Sequence, residues 1–186
     1  MPLIAPGPID TARLIVRPVL ESDLPALLEV NSDEAVTALL PYARWASIGD
    51  AQAWLGRMNG LVEGGSAIQF VVVDKGIAQA IGTCLLFRFD EGSARVELGY
   101  VLGRAHWGRG LMGEALAGLL EHAFTTMDLR RVEAEVDVRN GASSRLLRRL
   151  GFTREGVLRQ RWFTKGEARD VEMHGLLRNE WTTPRT

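Results

Sequence analysis

The sequence has a single cysteine in 186 residues, so no internal disulfide can staple it. Cys84 sits in the apolar run 81–87 with no His/Cys cluster at zinc spacing beside it, which reads as a buried strand thiol, and no metal site is expected. Neither sign of charge is in excess. With Lys+Arg 22 against Asp+Glu 23, the net charge of −1 excludes the global basic field that drives nucleic-acid binding, and any anion site must be local. No stretch approaches the roughly 18 apolar residues of a membrane span. Residues 1–8 also lack the basic and apolar regions of a secretory signal. A soluble, cytoplasmic protein without a membrane or nucleic-acid partner is therefore expected. There is no internal repeat, low-complexity tract or interior Pro/Gly/Ser linker, so residues 1–186 are expected to form one domain in which only the two ends look loose.

The 46% hydrophobic and 24% charged content suits a globule able to bury a sizeable core. Residues 13–17 read as a first strand closed by Pro18. Leu24, Leu27 and Leu28 give 21–30 the spacing of an amphipathic helix. An irregular aromatic segment, 39–47, with Tyr42 and Trp45, leads into a helix over 50–62 ended by Gly64 and Gly65. Strands follow at 67–74, 79–89 and 94–102, then a helix over 111–124, a strand over 131–138 and a short helix over 141–150. The last two strands, 152–161 and 168–177, flank Lys165-Gly166. The pattern predicts a mixed α/β sheet with helices outside.

The stretch Gly103-Arg-Ala-His-Trp-Gly-Arg-Gly-Leu-Met-Gly113 leaves a strand and opens a helix. It contains no Ser, Thr, Asp or Asn to act as N-cap, so the free N–H groups of the first turn lack a side-chain acceptor, and an external phosphate would satisfy them. Gly108 and Gly110 clear the β-carbons from the approach, while Arg104 and Arg109 add positive charge. A loop capped only by water is the plainer reading. A nucleotide P-loop fits poorly, because Arg109-Gly110 stands where Lys-Ser/Thr would hold phosphate and Mg²⁺. Gly108, Gly110 and Gly113 match the dinucleotide fingerprint literally, with Glu133 downstream. But five residues separate Leu102 from Gly108, and most of the chain precedes the motif, which argues against a dinucleotide-binding oxidoreductase.

Two segments in order, Glu97-Leu-Gly-Tyr-Val-Leu-Gly-Arg-Ala-His-Trp-Gly-Arg-Gly-Leu-Met-Gly-Glu-Ala115 and Asn140-Gly-Ala-Ser-Ser-Arg-Leu-Leu-Arg-Arg-Leu-Gly-Phe152, resemble the GNAT superfamily of acetyl-CoA-dependent N-acetyltransferases. The resemblance is to its Rim-type branch of ribosomal-protein N-terminal alanine/serine acetyltransferases. Residues 11–18, 155–160, 169–171 and 175–181 support it. It implies a GNAT-like fold: about seven strands, mostly antiparallel, with one splayed parallel pair and flanking helices. It also implies acetyl-CoA as cosubstrate, with pantetheine entering the splay beside Leu102 and Asn140. The pyrophosphate would then lie against the backbone of Gly108, Arg109, Gly110, Leu111, Met112 and Gly113. The family's Gln/Arg-x-x-Gly-x-Gly/Ala pattern falls on Trp107 to Met112, with Trp and Met replacing the first and last positions.

Many superfamily members carry a proton-donating Tyr seven positions after the Asn; here that position is Leu147. By resemblance to Rim-type enzymes, Ser143 takes over contact with the leaving thiolate, although Asn140 and Ser143 also read as N-cap and N3 of a helix. Acyl transfer to nitrogen needs a neutral amine, an oxyanion donor and an outlet for the thiolate. Glu97 is the candidate base, with a salt-bridged strand carboxylate as its plain reading, and a backbone N–H near 100–102 is the candidate oxyanion donor. No histidine is assigned a role. Tyr42, Trp45 and Trp162 are candidate acceptor walls or core rings, and some Rim-type relatives carry an acid where Trp162 stands. An aromatic lip without an acidic cluster favours a peptide N-terminus over a polyamine. The expected activity is acetylation of a protein α-amine, or alternatively of a small-molecule amine. A catalytically silent CoA sensor is the rival outside enzymology, and a homodimer is a further expectation.

Overall fold

Residues 67–74 alternate no polar face, and the strand they form is buried along its whole length. A strand covered on both faces needs helices on each side. The computed structural model, which describes residues 7–182, has that arrangement; the two ends read as loose lie outside the described residues. In chain order the elements are β1 (Ile9–Asp10), β2 (Leu14–Pro18), α1 (Leu24–Ser32), α2 (Glu34–Thr37), α3 (Ile48–Glu63), β3 (Ala67–Asp74), β4 (Gln79–Asp90) and β5 (Arg95–Leu102). There follow α4 (Leu111–Thr125), β6 (Arg131–Asp137), α5 (Gly141–Arg149), β7 (Thr153–Thr164) and β8 (Glu167–Leu177). Among the described residues the sheet has eight strands in the order β1-β2-β3-β4-β5-β6-β8-β7. Only β5 and β6 run parallel, joined through α4.

The strand beyond the expected seven is β1, whose two residues are too short to show an alternation. Helix α1 begins later than its leucine spacing suggests because Glu21–Asp23 form a 3₁₀ turn. There the Asp23 carboxylate accepts from the Leu20 amide at 2.8 Å and pairs with Arg17. The four-residue α2 lies in a stretch with no helical periodicity; Asp33 caps it by accepting from the Ala35 amide at 2.8 Å.

One face of the sheet carries the larger core. Leu111, Leu116, Leu119 and Leu120 of α4 and Leu147 of α5 pack on Phe70, Val72, Leu86, Val96, Leu98, Val132 and Val136. The opposite face is covered by α1 and α3, through Leu24, Leu27 and Ala51 against Val71 and Val73. On β5 the alternation is therefore fixed: Val96, Leu98, Tyr100 and Leu102 face α4 and α5, while Val101 packs against Val30 and Val36 on the other side. Glu97 shares the Val101 face, and Ser143 belongs to the Tyr100 face.

Candidate active site

Strands β5 and β6 pair at Arg95/Arg131, Val96/Val132 and Glu97/Glu133, and there the pairing stops. Beyond it β5 continues to Leu102 on β4, and β6 continues to Asp137 on β8. The two strands thus diverge into a gap whose edges carry backbone groups without a strand partner, the kind of surface an amide-bearing chain can pair with.

The loop 103–110 closes the end of this gap. Gly108 and Gly110 both hold left-handed backbone (φ +72° and +74°), which a non-glycine residue adopts only with strain. Nothing lies within 4 Å of where a Cβ on Gly108 would stand, and only Arg13 Nη2, at 3.7 Å, approaches that point on Gly110. Gly110 caps the 15-residue α4 without a side-chain acceptor. The first-turn amides of 111–113 therefore open onto a space clear of β-carbons. Leu111 and Met112 bury their side chains in the core and offer only backbone. The loop is anchored from behind: Arg13 Nη1 donates to the Arg109 carbonyl at 3.0 Å, and its Nε pairs with Glu114 at 2.7 Å. Trp107 folds back so that its Nε1–H donates to the Leu102 carbonyl at 2.7 Å.

Across the gap, α5 brings up its N-terminus. Asn140 is its N-cap, its Oδ1 accepting from the Ser143 amide at 3.1 Å. The Ser143 hydroxyl lies 2.5 Å from the hydroxyl of Tyr100. Burial pushes the Tyr100 phenol up to about 12, against the opposing effect of the Ser143 hydrogen bond. Leu147 is fully buried in the core.

On the other face, Glu97 is buried and its carboxylate accepts from Arg88 at 2.7 Å. Burial raises its pKa; the Arg88 hydrogen bond opposes this, and Glu135 and Glu133 reinforce it. Parallel register puts Glu133 beside Glu97, and alternation adds Glu135, so the fold assembles an acidic group that linear inspection missed. Every member is matched. Arg88 also reaches Glu135 at 3.7 Å, Arg161 pairs with Glu135 at 2.9 Å, and Arg95 and Arg131 pair with Glu133 at 2.6 and 2.7 Å. Arg88 itself has φ +53° at the break in register between Phe87 and Asp90, a bulge that swings its guanidinium over both carboxylates.

A family model for the acetyltransferase (GNAT) domain matches residues 13–153. This chain belongs to the GNAT family. It is 36% identical over 171 residues to an uncharacterized N-acetyltransferase, p20, of Bacillus licheniformis, covering 92% of this chain and 96% of the relative. To the ribosomal protein uS5 alanine N-acetyltransferase of Escherichia coli it is 31% identical over 186 residues, covering 95% of this chain and 94% of that protein. The solved structure of RimL, a ribosomal L7/L12 alpha-N-protein acetyltransferase, in complex with coenzyme A superposes with a TM-score of 0.81 at 24% identity. That match covers 92% of this chain and 98% of the RimL chain.

The protein is thus a GNAT N-acetyltransferase that uses acetyl-CoA, and the dinucleotide and silent-sensor alternatives fall away. The cradle fits the cosubstrate: an open gap with unpaired strand edges ends at a loop whose left-handed glycines and uncapped helix suit a pyrophosphate. Acetyl-CoA supplies the activated acyl group when bound.

The acceptor walls divide. Trp162 does face this region, its Nε1–H donating to Glu135 Oε2 at 2.8 Å. Tyr42 lies on the segment joined to the β7–β8 hairpin, where Thr164 donates to the Pro41 carbonyl at 3.2 Å, and its hydroxyl donates to Asn31 at 2.9 Å. Of its two readings, Trp45 takes the core ring rather than the acceptor wall. It is 8% exposed and packs on Trp54 (centroids 5.3 Å apart) in the core beneath α1 and α3, because the 39–47 segment folds back over α1. Residues that sequence reasoning passed over as side chains are Tyr100, Arg88 and Glu135. Each is brought to the gap by a partner more than 30 positions away or by a bulge, and no local signal marks them.

Proposed function

We propose that this enzyme acetylates peptide or protein N-terminal α-amines, and that residues 1–186 act as one catalytic domain. The observation that carries the choice of acceptor is the ion-paired state of the acidic cluster. Glu97 is engaged by Arg88, Glu133 by Arg95 and Arg131, and Glu135 by Arg161 and Arg88, so none of the three carboxylates stands free to hold a polycation. Similarity to an alanine N-acetyltransferase acting on a ribosomal protein supports the same class.

The α-amine, with a pKa near 7.7–8.0, is neutral in roughly one molecule in ten at pH 7, whereas a lysine amine is neutral in roughly one in 2,500. A carboxylate of raised pKa, as at Glu97, suffices as base for the former. The amine nitrogen bonds to the acetyl carbon and gives up its proton to Glu97, and the C–S bond breaks. The departing sulfur, a thiolate of ordinary thiol acidity, needs a hydrogen bond rather than a strong acid, which Ser143 supplies. Glu97, at the last paired position before the splay, and Ser143 belong to opposite faces of the sheet.

The test is CoA release with a panel of acceptors at pH 7.5: peptides beginning Ala, Ser and Thr, an Nα-blocked lysine peptide, spermidine and free amino acids. A kcat/KM at least about tenfold higher for the free N-terminal peptides is expected. A preference for spermidine, the blocked peptide or free amino acids overturns the assignment.

A further inference from the structure

If Ser143 is the thiolate's partner, its aliphatic hydroxyl, free to rotate, would offer its hydrogen in several directions. Its environment removes that freedom. Tyr100 leaves β5 from the splayed section, on the α5 face, and its hydroxyl oxygen stands 2.5 Å from Ser143 Oγ. The Ser143 backbone is tied to the Asn140 side chain at 3.1 Å, so both main chain and side chain of Ser143 are fixed. Of the two hydroxyls the phenol is the stronger donor, and burial keeps it protonated. Ser143 Oγ is then the acceptor, and its own hydrogen is left to point elsewhere.

We propose that Tyr100 is the positioning residue of the acetyl-transfer site: its O–H donates to Ser143 Oγ and thereby directs the Ser143 hydrogen at the sulfur of the departing CoA. This rests on the reading of Ser143 as the thiolate's partner. No proton leaves Tyr100; the C–S electron pair goes to sulfur, which the Ser143 hydrogen bond stabilises and solvent later protonates. The arrangement couples β5 to α5 across the gap, using a tyrosine from the strand where the helix has none.

The experiment is a double-mutant cycle on the full chain with Tyr100→Phe, Ser143→Ala and the double variant, reading kcat, KM for acetyl-CoA and the Kd of CoA. Tyr100→Phe is expected to lower kcat about tenfold, the size of one hydrogen bond to a charged centre, with the Kd of CoA within about twofold of wild type. In the Ser143→Ala background the same change is expected to have no further effect on kcat. If Ser143→Ala leaves kcat untouched, the underlying reading of Ser143 fails. If Ser143→Ala lowers kcat but Tyr100→Phe does not, or the two effects multiply independently, the positioning role fails while the Ser143 reading stands.

A second measurement avoids dependence on the folding of Tyr100→Phe. The sequence holds only two tyrosines, Tyr42 and Tyr100. Uniform 3-fluorotyrosine labelling therefore gives two ¹⁹F resonances, assigned with Tyr42→Phe. The Tyr100 resonance is expected to shift on adding CoA to the otherwise unmodified protein and to shift less in Ser143→Ala; a resonance indifferent to CoA in both overturns the proposal.

Discussion

At Glu97 two opposing influences meet, burial raising the carboxyl pKa and Arg88 holding it down, and the balance favours a better proton acceptor than an exposed glutamate. Because the folded-state value is raised, the charged form is the strained one. The side chain's contribution to stability is most favourable below its unfolded value and is lost as pH rises through the folded value. Glu97→Gln is accordingly expected to melt no lower than wild type at pH 8. Activity moves the other way. With an α-amine acceptor, kcat/KM of Glu97→Gln is expected to fall about tenfold near pH 7, where roughly nine in ten amines are protonated, and to converge on wild type toward pH 9. A flat ratio of variant to wild type across pH 6.5–9 sinks the assignment of Glu97 as base. Single residues were legible only where chemistry is local: Gly108, Gly110 and Asn140 announce themselves by type and neighbours. Tyr100 and Ser143, 43 positions apart, meet only because β5 splays toward α5.

Elements were more legible than contacts, because periodicity is local and register is not. The strand–loop–helix unit from β5 to α4 was readable from glycine spacing and the missing N-cap, and its left-handed glycines are where that reading puts them. The acidic group of β5 and β6 escaped, since it depends on Glu97 aligning with Glu133. Trp45 was undecided for a related reason: an aromatic in an irregular segment reads as a wall or as a core ring until α1 and α3 are seen to close over it. The cradle yields a paired test in which one substitution has opposite signs in two elements. Gly110→Ala is expected to cost about 1–2 kcal/mol from the left-handed backbone and so lower Tm by about 2–8 °C, with CoA affinity reduced at least about tenfold. Gly56→Ala, at an exposed position of α3 with nothing near its Cβ, is expected to raise stability by about 0.5–1 kcal/mol with CoA affinity unchanged. Calorimetric melts and CoA titrations read both, and a Gly110→Ala protein that binds CoA like wild type removes the loop from the pyrophosphate site.

Across the whole molecule, the sheet is two bodies, β1–β5 and β6-β8-β7, hydrogen-bonded to each other at only three aligned pairs. Elsewhere the junction is held by α4 and α5 packing under it and by the arginines strung across Glu97, Glu133 and Glu135. A ligand that enters the gap therefore substitutes for missing strand pairing, and its effect must be concentrated there. CoA at a hundred times its Kd stabilises by about 2.7 kcal/mol, which for a chain of this size is a rise of roughly 5–11 °C in Tm. Hydrogen exchange locates that energy. The gap-facing amides of 98–102 and the first-turn amides of 111–113 are expected to slow on CoA binding, while β3, already paired on both sides and buried throughout, changes only through global stability. Uniform slowing across the sheet, with no excess at 98–102, would mean that the cosubstrate is held by the loop and helix alone and that the splayed strands do not pair with it.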